Sequence, residues 1–351
     1  MRTFRHKVSE AIKEPRYAVS HLSQKLTSPL RAVTTSASIF GTSRRNFGTN
    51  IFEREWDLVL VLDSARYDIL RELECEYSFL TNVNSIWSVG STSPEWMANT
   101  FSETYRSQIS DTAYITSNPH TETVLEKNLS ERYQGHRKEL TKIQRFGKFN
   151  IVQSENLGLY DPVWKQNSIE GRYEMYENYG DPRNVTDKAI QTLREYDFER
   201  VILHYMPPHI PLIVEAIREE RDPLEYEQTP WKYIQKTGDQ TLPLEAHKEM
   251  LRWVLDDIEV LLENVDAQKI AITADHGDAF GEFGTYGHPA GSLNPKVRRV
   301  PWVTTSAKDT KKHMPEYEEN EQKDEKTTVD ERLESLGYLA ASPVLAKGNS
   351  R

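Results

Sequence analysis

Five short runs of apolar and β-branched residues set what this chain can become: WDLVLVLD at 56–63, TAYITSN at 112–118, FERVILHYM at 198–206, QKIAITAD at 268–275 and VPWVTT at 300–305. Where such runs do not alternate with polar residues, they predict strands covered on both faces, the habit of parallel sheets. Between them, the stretch 244–264 places Met250, Trp253, Val254, Ile258, Leu261 and Leu262 on one helical face with acidic residues opposite. Strands separated by helical stretches predict an α/β fold: a mostly parallel sheet with helices on both sides. With 351 residues the chain can bury one large core or two smaller ones.

The ends of these runs carry polar residues in a recurring way. Asp63 closes the first run, and Asp275 with His276 closes the fourth, at the carboxyl edge where open α/β sheets hold their ligands. Each also has an ordinary reading: Asp63 before Ser64 is a helix N-cap, and Asp275-His276-Gly277 is a turn. SVGSTSPEWMANTF, from 88 to 101, puts three hydroxyls before Pro94, which suits the first turn of a helix. A hydroxyl there faces free amides that stabilise an incoming oxyanion; it can equally be a plain cap. His204 and His209 follow the third run, and His288 sits in YGHPAG.

Composition narrows the partners. A net charge of -10 gives no basic surplus for nucleic acid, and the single cysteine, Cys75, excludes an internal disulfide framework or a multi-cysteine zinc site. Any metal must be held by carboxylates, imidazoles and hydroxyls. Residues 1–50 oppose the overall charge, with nine Lys or Arg against two Glu. They read as a basic extension, solvated or docked on an anionic membrane face or acidic partner. Residues 51–306 read as the catalytic domain, and 307–351 as a charged linker ending in a short helix, RLESLGYLAA. No run approaches the length of a membrane helix. TSRRNFG at 42–48 is followed by charge and then a strand instead of an export signal, so the expected location is cytoplasmic, with peripheral membrane contact through the basic segment.

Taken in order, D-S-x-R-x-D after the first strand, a hydroxyl-x-Pro turn, H-Y-x-x-P-H-x-P, A-D-H-G-D, G-H-P and R-V-P-W resemble the sulfatase branch of the alkaline phosphatase superfamily. The likeness spans about residues 55–305 and the final ERLESLGYL. It implies a three-layer α/β/α sandwich whose strand ends hold one or two divalent metals against a nucleophile. Residue by residue, Asp63, Asp275 and His276 match the metal positions. Thr92 matches the nucleophile, itself a metal neighbour. His204, His209 and His288 match histidines that line the substrate pocket or bind a second ion. One departure is clear. Where sulfatases that mature a formylglycine carry C-x-P-x-R, this chain reads Thr92-Ser93-Pro94-Glu95-Trp96, with neither the cysteine nor the arginine. Threonine there resembles the phosphotransferases of the superfamily that move phosphoglycerol or phosphoethanolamine onto glycans and lipids.

The implied chemistry is hydrolysis or transfer of an anionic phosphate or sulfate ester, on a glycan or lipid-linked substrate, with zinc or manganese favoured by the imidazole ligand and calcium less suited. Ser91 and Ser93 compete with Thr92 for the attack. A noncatalytic relative that binds anionic glycans or phospholipids is the alternative. Residues 120–195, where substrate selection is expected to lie, offer no readable motif.

Overall fold

The computed structural model describes residues 33–45, 47–129, 138–165 and 181–316. Most of the basic extension, residues 1–32, and the short helix expected over RLESLGYLAA lie outside these residues. Seven strands form one sheet in the order β2 (Asn84–Trp87), β9 (Arg299–Ala307), β6 (Ala267–Thr273), β1 (Leu58–Leu62), β5 (Arg200–Tyr205), β3 (Thr112–Thr116) and β4 (Leu159–Asp161). The block from β6 to β4 is parallel throughout, and β9 alone runs against its neighbours. Every residue of β1 and β3 is buried, so both faces of the sheet are covered, as the unalternating sequence requires. The result is the three-layer sandwich expected, with all five predicted strands present. The short strands β2 and β4 and the hairpin β7 (Ala279–Phe280) and β8 (Tyr286–Gly287) were not predicted.

Burial explains the helices. In order along the chain they include α1 over 33–42, α2 (Tyr67–Glu72), α3 (Ser93–Thr100), α4 (Pro182–Glu195) and α5 (Thr241–Leu262). Helix α5 buries Met250, Leu251, Val254, Leu255, Ile258 and Leu261, two of which, Leu251 and Leu255, widen the predicted stripe. Trp253 is only partly buried and packs on a smaller cluster around Met206, Leu212 and Ile213. Helix α4 begins on Asp181, whose side chain accepts from the Arg183 amide, with Pro182 at its first position. Beyond β9, the chain follows α4: Arg194 pairs with Asp309, and His313 lies 2.7 Å from Asp187.

Register brings the functional ends level. Val61 pairs with His204 on β5 and with Thr273 on β6, and Thr116 on β3 also pairs with His204. One or two residues further on, Asp63, Asn118 and Asp275 therefore leave the sheet side by side.

Candidate metal centre and active site

Asp63 leaves β1 with its amide bonded to the Tyr205 carbonyl, 3.0 Å away. The next residue, Ser64, takes a left-handed backbone at φ 66°, which turns both its polar groups back on the acids. Its hydroxyl donates to Asp63 Oδ1 at 3.0 Å and its amide to Asp275 Oδ1 at 3.1 Å. Asp275 Oδ1 also accepts the His276 amide at 2.8 Å. The two carboxylates are thus held together by donors on one side, with Asp275 Oδ2 left open on the other.

Two imidazoles close the open side. His276 Nε2 lies 3.3 Å from Asp275 Oδ2 and 3.7 Å from Asp63 Oδ1. Its Nδ1, 3.2 Å from the Gly277 carbonyl, carries the proton, since that oxygen can only accept, and so Nε2 is the bare nitrogen. His204 projects from β5, and its Nδ1 lies 2.8 Å from the Tyr114 hydroxyl. Its Nε2 stands 3.9 Å from Asp275 Oδ2 and 4.0 Å from Asp63 Oδ2. His204 Nε2 and Asp275 Oδ2 are buried with no hydrogen-bond partner. Asp63, His204 and Asp275 offer ligand atoms all within 4.8 Å of one another.

Such a group gathers ionisable and unpaired polar atoms in a buried place. Burial, then the neighbouring Asp275, pushes the Asp63 carboxyl well above its ordinary range. Burial draws His204 down to about 4 and, together with the nearby His288, depresses His276, so both rings are neutral ligands at physiological pH. Buried polar atoms are normally paired, and unpaired ones cost stability. A divalent ion satisfies the orphaned Asp275 oxygen and His204 nitrogen together, and a donor set of two carboxylates and two imidazoles suits zinc or manganese better than calcium. The residues fit the metal that the motifs imply. His204, matched with histidines that line the substrate pocket or bind a second ion, faces the two acids.

Each hydroxyl of the turn before α3 has its own partner. Ser91 donates to Glu95 Oε2 at 2.5 Å, and that carboxylate also receives the Gly291 amide at 3.1 Å. Thr92 is the N-cap of α3 and accepts the Glu95 amide at 3.3 Å. Ser93 Oγ donates to Asp63 Oδ2 at 3.1 Å and lies 3.3 Å from His276 Nε2. Gly90 lets this turn fold so tightly: a Cβ there would fall 2.2 Å from the Trp96 amide nitrogen.

His288 forms the other wall. Its Nδ1 is 2.6 Å from Asp278 Oδ1, and its ring centroid lies 4.3 Å from that of His276 and 5.2 Å from that of His209, both pairs tilted. Burial would raise the Asp278 carboxyl, but His288 holds it down at about 2, so it stays ionised. Asp278 and Asn118, whose side-chain amide donates to Asp63 Oδ2 at 2.6 Å, were missed as site residues. Both carried a signal: Asn118 ends a predicted strand at the same edge as Asp63, and Asp278 closes the A-D-H-G-D run. Arg66 ties the two acid loops together, reaching Asp68 and Glu282 at 2.7 Å each.

No family model matches the chain, and no curated protein matches it. Among solved structures it is similar to the soluble domain of lipooligosaccharide phosphoethanolamine transferase A from Neisseria meningitidis, with TM-score 0.45 and 13% identity over 73% of this chain and 77% of that one. It is similar also to the C-terminal periplasmic domain of phosphoethanolamine transferase EptC from Campylobacter jejuni, at 0.40 and 15% over 71% and 78%. A third is a 2-O GAG sulfatase, at 0.38 and 13% over 71% and 64%. In motif order and architecture the chain resembles the sulfatase-like branch of the alkaline phosphatase superfamily, but at these scores the likeness assigns no activity. One expectation is corrected. No described helix is long and apolar enough to cross a membrane, yet that observation fixes no compartment. The solved structures it is similar to include a periplasmic domain, so the cytoplasmic location is withdrawn.

Proposed function

We propose that the protein is a metal-dependent enzyme that hydrolyses or transfers phosphate or sulfate esters through a hydroxyl of the Ser91–Ser93 turn. The observation that carries this reading is the convergence of Asp63, Asp275, His204 and His276, with two orphaned ligand atoms, beside the Ser93 oxygen. A divalent cation held there supplies positive charge that acidifies a hydroxyl and neutralises ester oxygens.

The residues divide the remaining work. Motif order nominates Thr92 as nucleophile; proximity favours Ser93, because the Thr92 oxygen is engaged as a helix cap while Ser93 points at the acids. Asp63 and Asn118 orient the attacking oxygen. Attack by the ionised serine oxygen, its proton already lost to solvent, forms a bond to phosphorus or sulfur and breaks the bond to the alcohol. His288, whose Nδ1 faces the ionised Asp278, gives a proton to the departing alkoxide. Water or an acceptor hydroxyl then surrenders a proton to His288 and takes the group, restoring the serine. His209, beside His288, contacts the anion. A glycan- or lipid-borne ester is the substrate class, in keeping with the names of the transferases and the sulfatase above.

The test is turnover of chromogenic phosphate monoesters, diesters and sulfate esters with manganese or zinc, followed by mass-spectrometric mapping of the trapped enzyme. Turnover with a label on Ser93 is expected. A label on Thr92 would move the attack by one residue and keep the mechanism. Full metal occupancy without turnover on any ester would leave a binder of anionic glycans or phospholipids.

A further inference from the structure

Among the described residues most large apolar side chains are buried, and the exposed ones are unevenly placed. Of the eight that stand out among the described residues, Val33, Phe40, Phe47, Phe283 and Leu293 lie on two segments, 33–47 and 283–293. These segments touch. Ile39 on the inner side of α1 is fully buried, and a Cβ on Gly291 would meet its side chain at 3.0 Å. The Ser38 hydroxyl donates to the Gly291 carbonyl. Two residues on, Leu293 precedes Asn294, whose side-chain amide donates to the Glu282 carbonyl at 3.1 Å, next to Phe283. Helix α1, the loop after His288 and the hairpin tip therefore follow one another along a single rim.

Two features set this rim apart from incidental exposure. Phe283 is 82% exposed and sits at φ 54°, ψ 28°, a left-handed conformation that bulky residues avoid; the hairpin holds an aromatic ring in solvent at a conformational cost. On α1, Val33, Ala37 and Phe40 point outward at helical spacing, while Ile39 and Thr42 point inward; just past its end, the Arg44 guanidinium lies 3.5 Å from the centroid of the Phe40 ring. The sequence on either side of this helix is basic: residues 1–32 carry seven Lys or Arg against two Glu, and Arg44 and Arg45 follow it, in a protein of net charge -10. An outward apolar stripe flanked by local positive charge is the composition that binds anionic lipid headgroups.

We infer that the rim formed by α1, Leu293 and Phe283 docks on an anionic lipid surface and presents the His288 loop to it. The inference deepens the proposed reaction by placing its substrate at a membrane face, and rests on that reading only for the substrate.

Co-sedimentation of the full chain with vesicles tests it. The protein is expected to pellet with phosphatidylcholine vesicles containing phosphatidylglycerol and to stay in solution with phosphatidylcholine alone, with added salt weakening the binding. The combined variant Phe40→Ser, Phe283→Asn, Leu293→Ser should lose at least about tenfold in partitioning, the apolar part of the attraction being gone. Asn tolerates the left-handed backbone, so this variant should keep its melting temperature and its turnover of a soluble chromogenic ester. Undiminished binding of the variant, equal binding to both vesicle types, or self-association in light scattering that the same substitutions abolish would each overturn the inference. A wild-type protein that binds vesicles but turns over no ester would instead defeat the proposed reaction and leave the docking intact.

Discussion

Asp63 bears most directly on the proposed cation. Its folded pKa is raised by burial and by Asp275, whereas an unfolded aspartate titrates near 3.9. An acid shifted upward contributes its stability below the unfolded value and loses it as pH rises through the folded one. The metal-free protein is therefore predicted to lose melting temperature between acid and neutral pH, and Asp63→Asn to flatten that fall. The same substitution should abolish the stabilisation that manganese or zinc confers on the wild type. Melting curves in chelator and in metal check both, and an Asp63→Asn profile as steep as the wild type would contradict the account. Asp278 acts at one remove: Asp278→Asn should cost about 10²-fold in kcat, the lower end of what a general acid supplies, with metal affinity little changed. Equal loss of metal binding would make it a ligand support instead.

The elements fix how tightly these side chains are held. The turn into α3 depends on Gly90, and Gly90→Ala would press a methyl on the Trp96 backbone. Overpacking of that kind costs about 1–3 kcal/mol, and here it should also move the hydroxyls off the acids. Calorimetry and ester turnover should fall together; a stable, active Gly90→Ala would mean that the turn has room the structure lacks. The α2 end of the site is set by Asp68. Burial would raise its carboxyl, but Arg66 and Lys296 hold it well below the ordinary range. A depressed acid gives stability above its unfolded pKa near 3.9 and loses it as pH falls toward the folded one. Asp68→Asn should therefore lower the melting temperature at pH 7, modestly because the pair is partly exposed, and the gap should close in acid. A gap that persists unchanged in acid would show that packing, not charge, was lost.

At the scale of the whole molecule, much of the architecture was legible because parallel strands covered on both faces write long apolar runs. The strands β2 and β4 were not, since four and three residues carry no periodicity. The site was legible where chemistry sat at a strand end, as with Asp63, Asp275 and His276. It was obscured where register decides. His204 reads as one of several histidines until β5 is paired with β1, which aims its Nε2 at the acids. The choice among Ser91, Thr92 and Ser93 likewise depends on the helical start, which rotates three adjacent hydroxyls toward three different partners. Asp278 and Asn118 were missed because each is the last polar residue of its run, and only the fold shows which way it faces.

The central claim is a cation shared by residues from β1, β5 and β6. Anomalous scattering from a crystal grown with manganese or zinc would test it most directly. The account predicts one strong peak at roughly 2.0–2.3 Å from carboxylate oxygens of Asp63 and Asp275 and an imidazole nitrogen of His204 or His276. A fully loaded crystal with the peak elsewhere, or with Asp63 and Asp275 binding no ion at all, would contradict it.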